Sequence, residues 1–303
     1  MAKRIIKAIL KYPLTLMNHI VLWSYYRWSS RRVIVKENMF QINSCKVLVL
    51  APHVDDETIG LGGTLIKHAE KGSSIHCVYI TDGSGSNTEL PKEQIIRARK
   101  EEAKRIQDQI GIKEIYFMEE PDGSIQPSEE LQRRLYDILD MVNPEIIYAP
   151  FLIDAHSDHV ETTRNFISVL NKWNPNFSNL YMYEINCPII PRLINEVSIL
   201  DEEQLQQKIK LMEEFKTQES MAFDGFILLN RMKGQLVKDN SAAEIFIKAN
   251  LQQIQEADKI LIKEGFSYKQ FRQLSNRYNL LLGFLQGYYK KLNYSKKLEN
   301  VIK

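Results

Sequence analysis

His53, Asp55, Asp56 and Glu57 place four ionisable side chains within five positions, directly after an apolar run, Val47 to Ala51, that stops at Pro52. His53 and Asp56 stand three apart, so a tight turn aims both at one point. A neutral imidazole and a carboxylate are both competent ligands for Zn²⁺. Asp55 is left beside them, free to handle a proton. The same residues have a plainer reading, in which Asp55 and Asp56 cap the helix that follows and His53 is an ordinary loop histidine.

A second cluster decides between the two. His156 and His159 stand three apart with Asp158 between them, again just after a strand-like run. One of these histidines supplies a third ligand, although spacing does not say which. Three protein ligands and an open position make a catalytic rather than a structural zinc site, and zinc lowers the pKa of a bound water toward about 7. Asp55 then serves as general base, and the histidine that is not a ligand faces the developing oxyanion.

The elements that must position these clusters follow from periodicity. Strand-like runs occur at 46–51, 75–81, 114–118, 146–150 and 180–185, with helix-period segments between them at 58–71, 91–110, 127–142 and 158–172. Pro91 and Gly111 fit helix entry and exit, and Ser128 is a cap candidate ahead of the stripe Leu131, Leu135, Ile138 and Leu139. The alternation predicts an α/β fold, a Rossmann-like three-layer sandwich with a mainly parallel sheet. Reactive loops in such a sheet follow the carboxyl ends of the strands, which puts both clusters at one edge.

The expected organisation is an amphipathic N-terminal arm at 1–40, an α/β catalytic domain at 41–200 and a mainly helical C-terminal extension at 201–303. In the extension, 201–221 and 241–263 read as charged helices, and 268–292 as a helix with Tyr268, Phe271, Tyr278, Leu281, Leu282, Phe284 and Leu285 on its apolar face. Residues 294–303 read as a frayed tail, and 33–42 as a connector or edge strand. Residues 1–32 carry basic side chains at both ends. Their uncharged stretch, 12–26, is shorter than the roughly 20 apolar residues of a spanning helix, and no small-residue cleavage site follows. Two readings stand: a segment lying on the inner face of an anionic membrane, or an arm packed on the protein's own body, which is preferred. Otherwise the chain is expected to be cytoplasmic.

Composition narrows the rest. The 303 residues are 44% hydrophobic and 26% charged with a formal net charge of +2, which suits a globular protein and lends no support to nucleic-acid binding. Cys45, Cys77 and Cys187 form no C-x-x-C pair, so neither a disulfide framework nor a thiolate zinc site is expected.

The motifs A-P-H-V-D-D-E at 51–57 and H-S-D-H at 156–159 resemble the two signatures of the LmbE/PIG-L family of zinc-dependent N-deacetylases of N-acetylglucosamine-containing compounds. T-D-G at 81–83, the R-x-x-E of Arg99 and Glu102, P-D-G at 121–123, Asn230 to Gly234 and Ala243 to Phe246 are similar to further family patterns, so the resemblance spans about 44–248. It implies His53, Asp56 and His159 as metal ligands, Asp55 as general base, and His156, oriented by Asp158, as the group facing the oxyanion. Arg99 matches a substrate-reaching position, and Asp122, in the P-D-G loop, is a substrate-binding candidate. The implied cofactor is Zn²⁺, with Fe²⁺ or another divalent ion also suited to a His₂Asp set. The implied substrate is an amino-sugar small molecule or glycolipid. Val54 and Ser157 stand where the family has prolines, and Thr217-Gln218 replaces a serine-glutamine pair. The rival is a non-catalytic carbohydrate- or nucleotide-binding α/β protein. Gly60, Gly62 and Gly63 suggest a phosphate loop, but they lack the third glycine of G-x-G-x-x-G and follow three carboxylates; helix packing explains them more simply.

Overall fold

The computed structural model describes residues 2–31, 33–41, 44–86, 90–238 and 241–303. Met1, Arg32 and Ile42, parts of the expected arm and connector, lie outside the described residues. The chain runs α1 (Ala2–Ser29), β1 (Lys46–Ala51), α2 (Asp56–Glu70), β2 (Ser74–Thr81), α3 (Lys92–Ile110), β3 (Glu114–Glu120), α4 (Glu129–Val142), β4 (Ile146–Pro150), α5 (Ser157–Trp173) and β5 (Leu180–Tyr183). It continues with β6 (Glu196–Leu200), α6 (Glu202–Met212), α7 (Asp224–Lys233), β7 (Ala242–Ala249), α8 (Leu251–Lys263), α9 (Leu280–Leu285) and α10 (Tyr288–Ile302).

The fold is the expected α/β sandwich. One seven-stranded sheet has the order β3-β2-β1-β4-β5-β7-β6. β1 to β5 are mutually parallel, and β7 runs antiparallel to β5 and β6. β1 lies between β2 and β4, with Val47 opposite Ile146 and Val49 opposite Tyr148. Sequence order reverses direction across the sheet at β1, and a crevice opens beyond the carboxyl ends of strands at such a point. The chain leaves β1 and β4 there through 52–55 and 151–156, so the fold itself brings the two histidine-aspartate clusters together.

Local signals explain most of the helices. Gly111 adopts φ 83° and closes α3, its N–H donating to the Gln107 carbonyl. Ser128 caps α4 by accepting the Leu131 N–H, and Leu131, Leu135, Ile138 and Leu139 are buried as their spacing predicts. Cys45 and Cys77 are buried, free thiols in the apolar interior. Gly60 and Gly63 are packing glycines: a Cβ on Gly60 would meet Tyr183 Cδ2 at 2.2 Å, and one on Gly63 would meet Leu200 Cδ1 at 2.4 Å. The α2 backbone therefore approaches β5 and β6 as only glycine allows.

Five expectations need correction. The segment 241–263 is not one helix, because Ala242–Ala249 is a strand pairing with β5 on one side and β6 on the other. β7 is buried on both faces, so it lacks the alternation that marks a half-exposed strand. β6 was absent from the expected strands. Within 268–292, Leu282 and Leu285 are exposed while Phe271 and Phe284 are buried, since a short 3₁₀ turn and irregular chain precede α9 and reset the phase. The tail is helical rather than frayed, with Tyr294, Leu298 and Ile302 buried in α10. The connector at 33–41 forms a single bridge, Lys36 to Glu196, rather than a strand. α1 continues through Pro13, and among the described residues no helix is long and apolar enough to cross a membrane.

Candidate active site

The loop after β1 turns sharply at Asp55, whose φ of 124° and ψ of −26° lie in a region that side-chain-bearing residues rarely occupy. The turn lets the Asp56 carboxylate fold back and accept the His53 backbone N–H at 2.9 Å, while His53 Nδ1 lies 3.1 Å from the same oxygen. Asp56 opens α2, a position where the helix dipole favours a carboxylate. Asp55 stands at the N-cap of α2 without a side-chain capping bond and Asp56 turns its carboxylate to His53, so the capping reading is not borne out.

The loop after β4 meets it. His159 Nε2 lies 3.4 Å from Asp56 Oδ2, and its Nδ1 lies 2.9 Å from Asp154 Oδ1. His53, Asp56 and His159 thus present three ligand atoms within 4.8 Å of one another. A second trio, His53, His156 and Asp158, meets the same criterion. The contacts of their Nδ1 atoms distinguish the two histidines. A carboxylate behind Nδ1 is the usual support of a metal-ligating histidine and leaves Nε2 to the ion. His156 instead caps α5: its Nδ1 accepts the Asp158 backbone N–H at 3.2 Å, so the neutral ring carries its proton on Nε2. The Asp158 carboxylate, expected to orient His156, instead makes its hydrogen bonds to His53 Nε2 at 3.2 Å and the Gly123 N–H at 2.7 Å.

The site is strongly anionic. Asp122 Oδ1 sits 3.3 Å from His53 Nε2, and its other oxygen accepts the Gly85 N–H. Burial alone would depress the His53 pKa, but hydrogen bonds to Asp122, Asp158 and Asp56 raise it well above the ordinary imidazole value. Burial would raise the Asp56 carboxyl, yet His159 and His53 hold it down at about 2. Asp158 Oδ1 is buried with no hydrogen-bond donor. Five aspartates around three histidines, and a buried carboxylate oxygen lacking a donor, fit a bound divalent cation.

Asp55 and Arg99 form the other half of the site. Arg99 is 1% exposed, with one guanidinium nitrogen 3.4 Å from Asp55 Oδ2 and the other 3.4 Å from Glu102 and 3.3 Å from Thr217 Oγ1. Glu102 accepts both the Thr217 N–H and its hydroxyl at 2.8 Å. Arg99 and Glu102 of the R-x-x-E helix and Thr217, read separately in the sequence, are one network. Burial raises the Asp55 carboxyl to about 6 even though Arg99 pulls it down, a value suited to a general base near neutral pH. Burial lowers His156 to about 4, with His159 and His53 adding repulsion.

All eight residues singled out in the sequence lie in or against one cavity. His53, Asp55, Asp56, Arg99, Asp122, His156 and His159 line it, and Asp158 sits behind His53. Asn186, Gln218 and Gln273 line it too, and Asp154 backs His159; none of these four was singled out. Gln218 had a signal in the Thr217-Gln218 pair, and Asp154 as a third acid in its loop. Asn186 and Gln273 have none, since they reach the cavity only through tertiary structure.

Residues 48–170 match the family model described as PIG-L: GlcNAc-PI de-N-acetylase. The matched stretch contains both histidine-aspartate clusters. Over 119 residues the chain is 31% identical to a diacetylchitobiose deacetylase of Thermococcus kodakarensis, covering 38% of this chain and 45% of that one. The chain spans about half the length of the curated relatives it matches. Among solved structures, the N,N'-diacetylchitobiose deacetylase of Pyrococcus horikoshii is similar at a TM-score of 0.60 and 24% identity, over 69% of this chain and 85% of that one. A 4-carboxy-2-hydroxymuconate hydratase of Pseudomonas putida is similar at 0.56 and 19%, over 67% and 95%. At these identities the structures share the fold. Because that fold hosts a hydratase as well as a deacetylase, the reaction has to be argued from the residues of the site itself.

Proposed function

We propose that this protein is a metal-dependent hydrolase that removes the N-acetyl group from an N-acetylglucosamine-containing conjugate such as a glycolipid, glycoside or polysaccharide precursor. The observation that carries the reading is the placement of Asp55, backed by Arg99 at 3.4 Å, beside the convergent His53, Asp56 and His159. The family match and the deacetylase relatives support the same chemistry.

His53, Asp56 and His159 would hold the ion, with Zn²⁺ the first choice for a His₂Asp set and Fe²⁺ the second. A bound divalent ion would acidify water and polarise the acetamide carbonyl. Asp55 takes the proton of the attacking water, and the new C–O bond leaves a tetrahedral carbon with negative charge on the former carbonyl oxygen. The His156 Nε2–H donates to that oxygen. The C–N bond then breaks, the amine leaves with the proton that Asp55 took up, and acetate is the second product. Asp122 and Gln218, which line the cavity, would meet sugar hydroxyls.

The test is an acetate-release screen over N-acetylglucosamine conjugates with the chain reconstituted with Zn²⁺ or Fe²⁺. Stoichiometric acetate from any conjugate supports the reading. Bound metal with no acetate from any of them overturns it in favour of a non-catalytic carbohydrate-binding protein.

A further inference from the structure

Charge is spread very unevenly along this chain. Eight of its forty Lys and Arg residues, and none of its 38 Asp and Glu, precede Glu37, leaving 32 basic against 38 acidic residues in the rest. Asymmetry of this kind marks a segment that seeks an anionic surface.

α1 carries that charge, and it has two different faces. One is covered by the protein: Asn18, Leu22 and Tyr26 are buried, and Asn18 donates through Nδ2 to the Arg277 carbonyl at 2.8 Å. The other has no cover. Tyr12 is 78% exposed, Leu16 62%, Ile20 57% and Trp23 47%, at steps of four, four and three residues that stack them on one side of the helix. Trp28 is exposed at the far end. Basic residues lie in the sequence before this stripe, from Lys3 to Lys11, and after it, at Arg27 and Arg31. The expected arm therefore packs on the body as predicted and still leaves an apolar stripe facing outward.

An apolar stripe with Tyr and Trp, bracketed by cations and too short on hydrophobicity to span, has the make-up of a helix lying in the plane of a membrane interface. A second copy of the chain is a poorer occupant. A two-fold contact through α1 would bring two acid-free, cationic helices together, whereas anionic headgroups complement them. We propose that the outward face of α1 docks this protein on the surface of an anionic lipid bilayer. Its inward face bonds the Arg277 carbonyl through Asn18, and Gln273, four residues before Arg277, lines the active-site cavity. Four residues span at most about 14 Å, so docking through α1 would hold the cavity's rim close to the bilayer.

The test is flotation of the full chain with vesicles of phosphatidylcholine alone and of phosphatidylcholine mixed with phosphatidylglycerol. Binding is expected to the mixed vesicles only, and to weaken at least tenfold from 50 mM to 500 mM salt through screening. The triple variant L16S/I20S/W23S changes exposed positions only and should bind at least tenfold less with an unchanged thermal melt. The variant R27E/R31E keeps the apolar stripe and should lose the salt-sensitive part of the binding. Absence of flotation at 50 mM salt overturns the proposal, as does equal binding by the triple variant. So does a dimer in light scattering that the triple variant dissociates while vesicle binding persists.

Discussion

Lys208 and Glu244 form a buried ion pair inside a break in α2, and each satisfies one side of the break. Leu61 leaves helical geometry at φ −147° and ψ 20°. The turn around it therefore loses its own hydrogen bonds. Lys208 Nζ donates to the freed Ile59 carbonyl at 2.8 Å, to Asn230 Oδ1 at 2.9 Å and to Glu244 Oε1 at 2.6 Å. Glu244 accepts the freed Gly63 and Thr64 N–H groups at 2.9 and 2.7 Å, and the Thr64 hydroxyl at 2.6 Å. The break sets the direction of the first turn of α2, which carries Asp56, apart from that of the rest of the helix.

Removing one member of this pair should be costly twice over. Lys208→Met leaves a buried carboxylate without its counter-charge, a loss of about 3–5 kcal/mol, readable as a shift in the urea midpoint. If the pair also aims Asp56, the folded variant should bind Zn²⁺ at least tenfold more weakly by calorimetric titration. Unchanged zinc affinity in a destabilised protein would show that the pair holds the helix without positioning the ligand.

Asp55 and His159 should separate proton transfer from metal binding. Asp55→Ala is expected to lower acetate release about 10²–10⁴-fold while bound zinc, measured by elemental analysis, stays near wild type. His159→Ala should lose the metal itself. Turnover that survives Asp55→Ala would refute the general-base role.

Asp154 touches no substrate position in this scheme, yet it lies 2.9 Å from His159 Nδ1 and accepts the His156 and Asn186 N–H groups. Asp154→Asn should weaken zinc binding about 10–100-fold and leave His53 and Asp56 in place. An unaltered zinc affinity would mean that His159 needs no carboxylate behind it.

The residues that converge at the site were legible because their chemistry is packed into two short motifs, each after an apolar run closed by proline. The parallel order of β1 and β4 then follows from alternation, and it is the only tertiary fact needed to join His53 to His159. β7 was missed for a physical reason: buried on both faces, Ala242–Ala249 shows no alternation, and its Glu244 reads as a solvent-facing charge until Lys208 is seen opposite. The break in α2 was hidden as well. Gly60, Gly62 and Gly63 permit one, but its cause lies about 150 and 180 residues downstream. Asn186 and Gln273 reach the cavity from segments with no motif, so no spacing rule could have named them.

His68 should govern part of the chain's acid sensitivity. It is buried on α2 with Nε2 2.8 Å from the Tyr148 hydroxyl and Nδ1 unpartnered, away from the active site. Burial lowers its pKa to about 3, with Lys67 and Lys71 adding repulsion. An unfolded histidine titrates near 6.5, so between about pH 6.5 and 3 the unfolded chain takes up a proton that the folded one refuses. Stability from this group is complete above pH 6.5 and falls by up to about 1.4 kcal/mol for each unit below it. His68→Phe removes the titration, whatever it does to packing. In chelator-containing buffer, the difference in urea-derived stability between wild type and His68→Phe should shift toward the variant as pH drops from 6.5 to 4.5. A pH-independent difference would mean that His68 accepts its proton without unfolding.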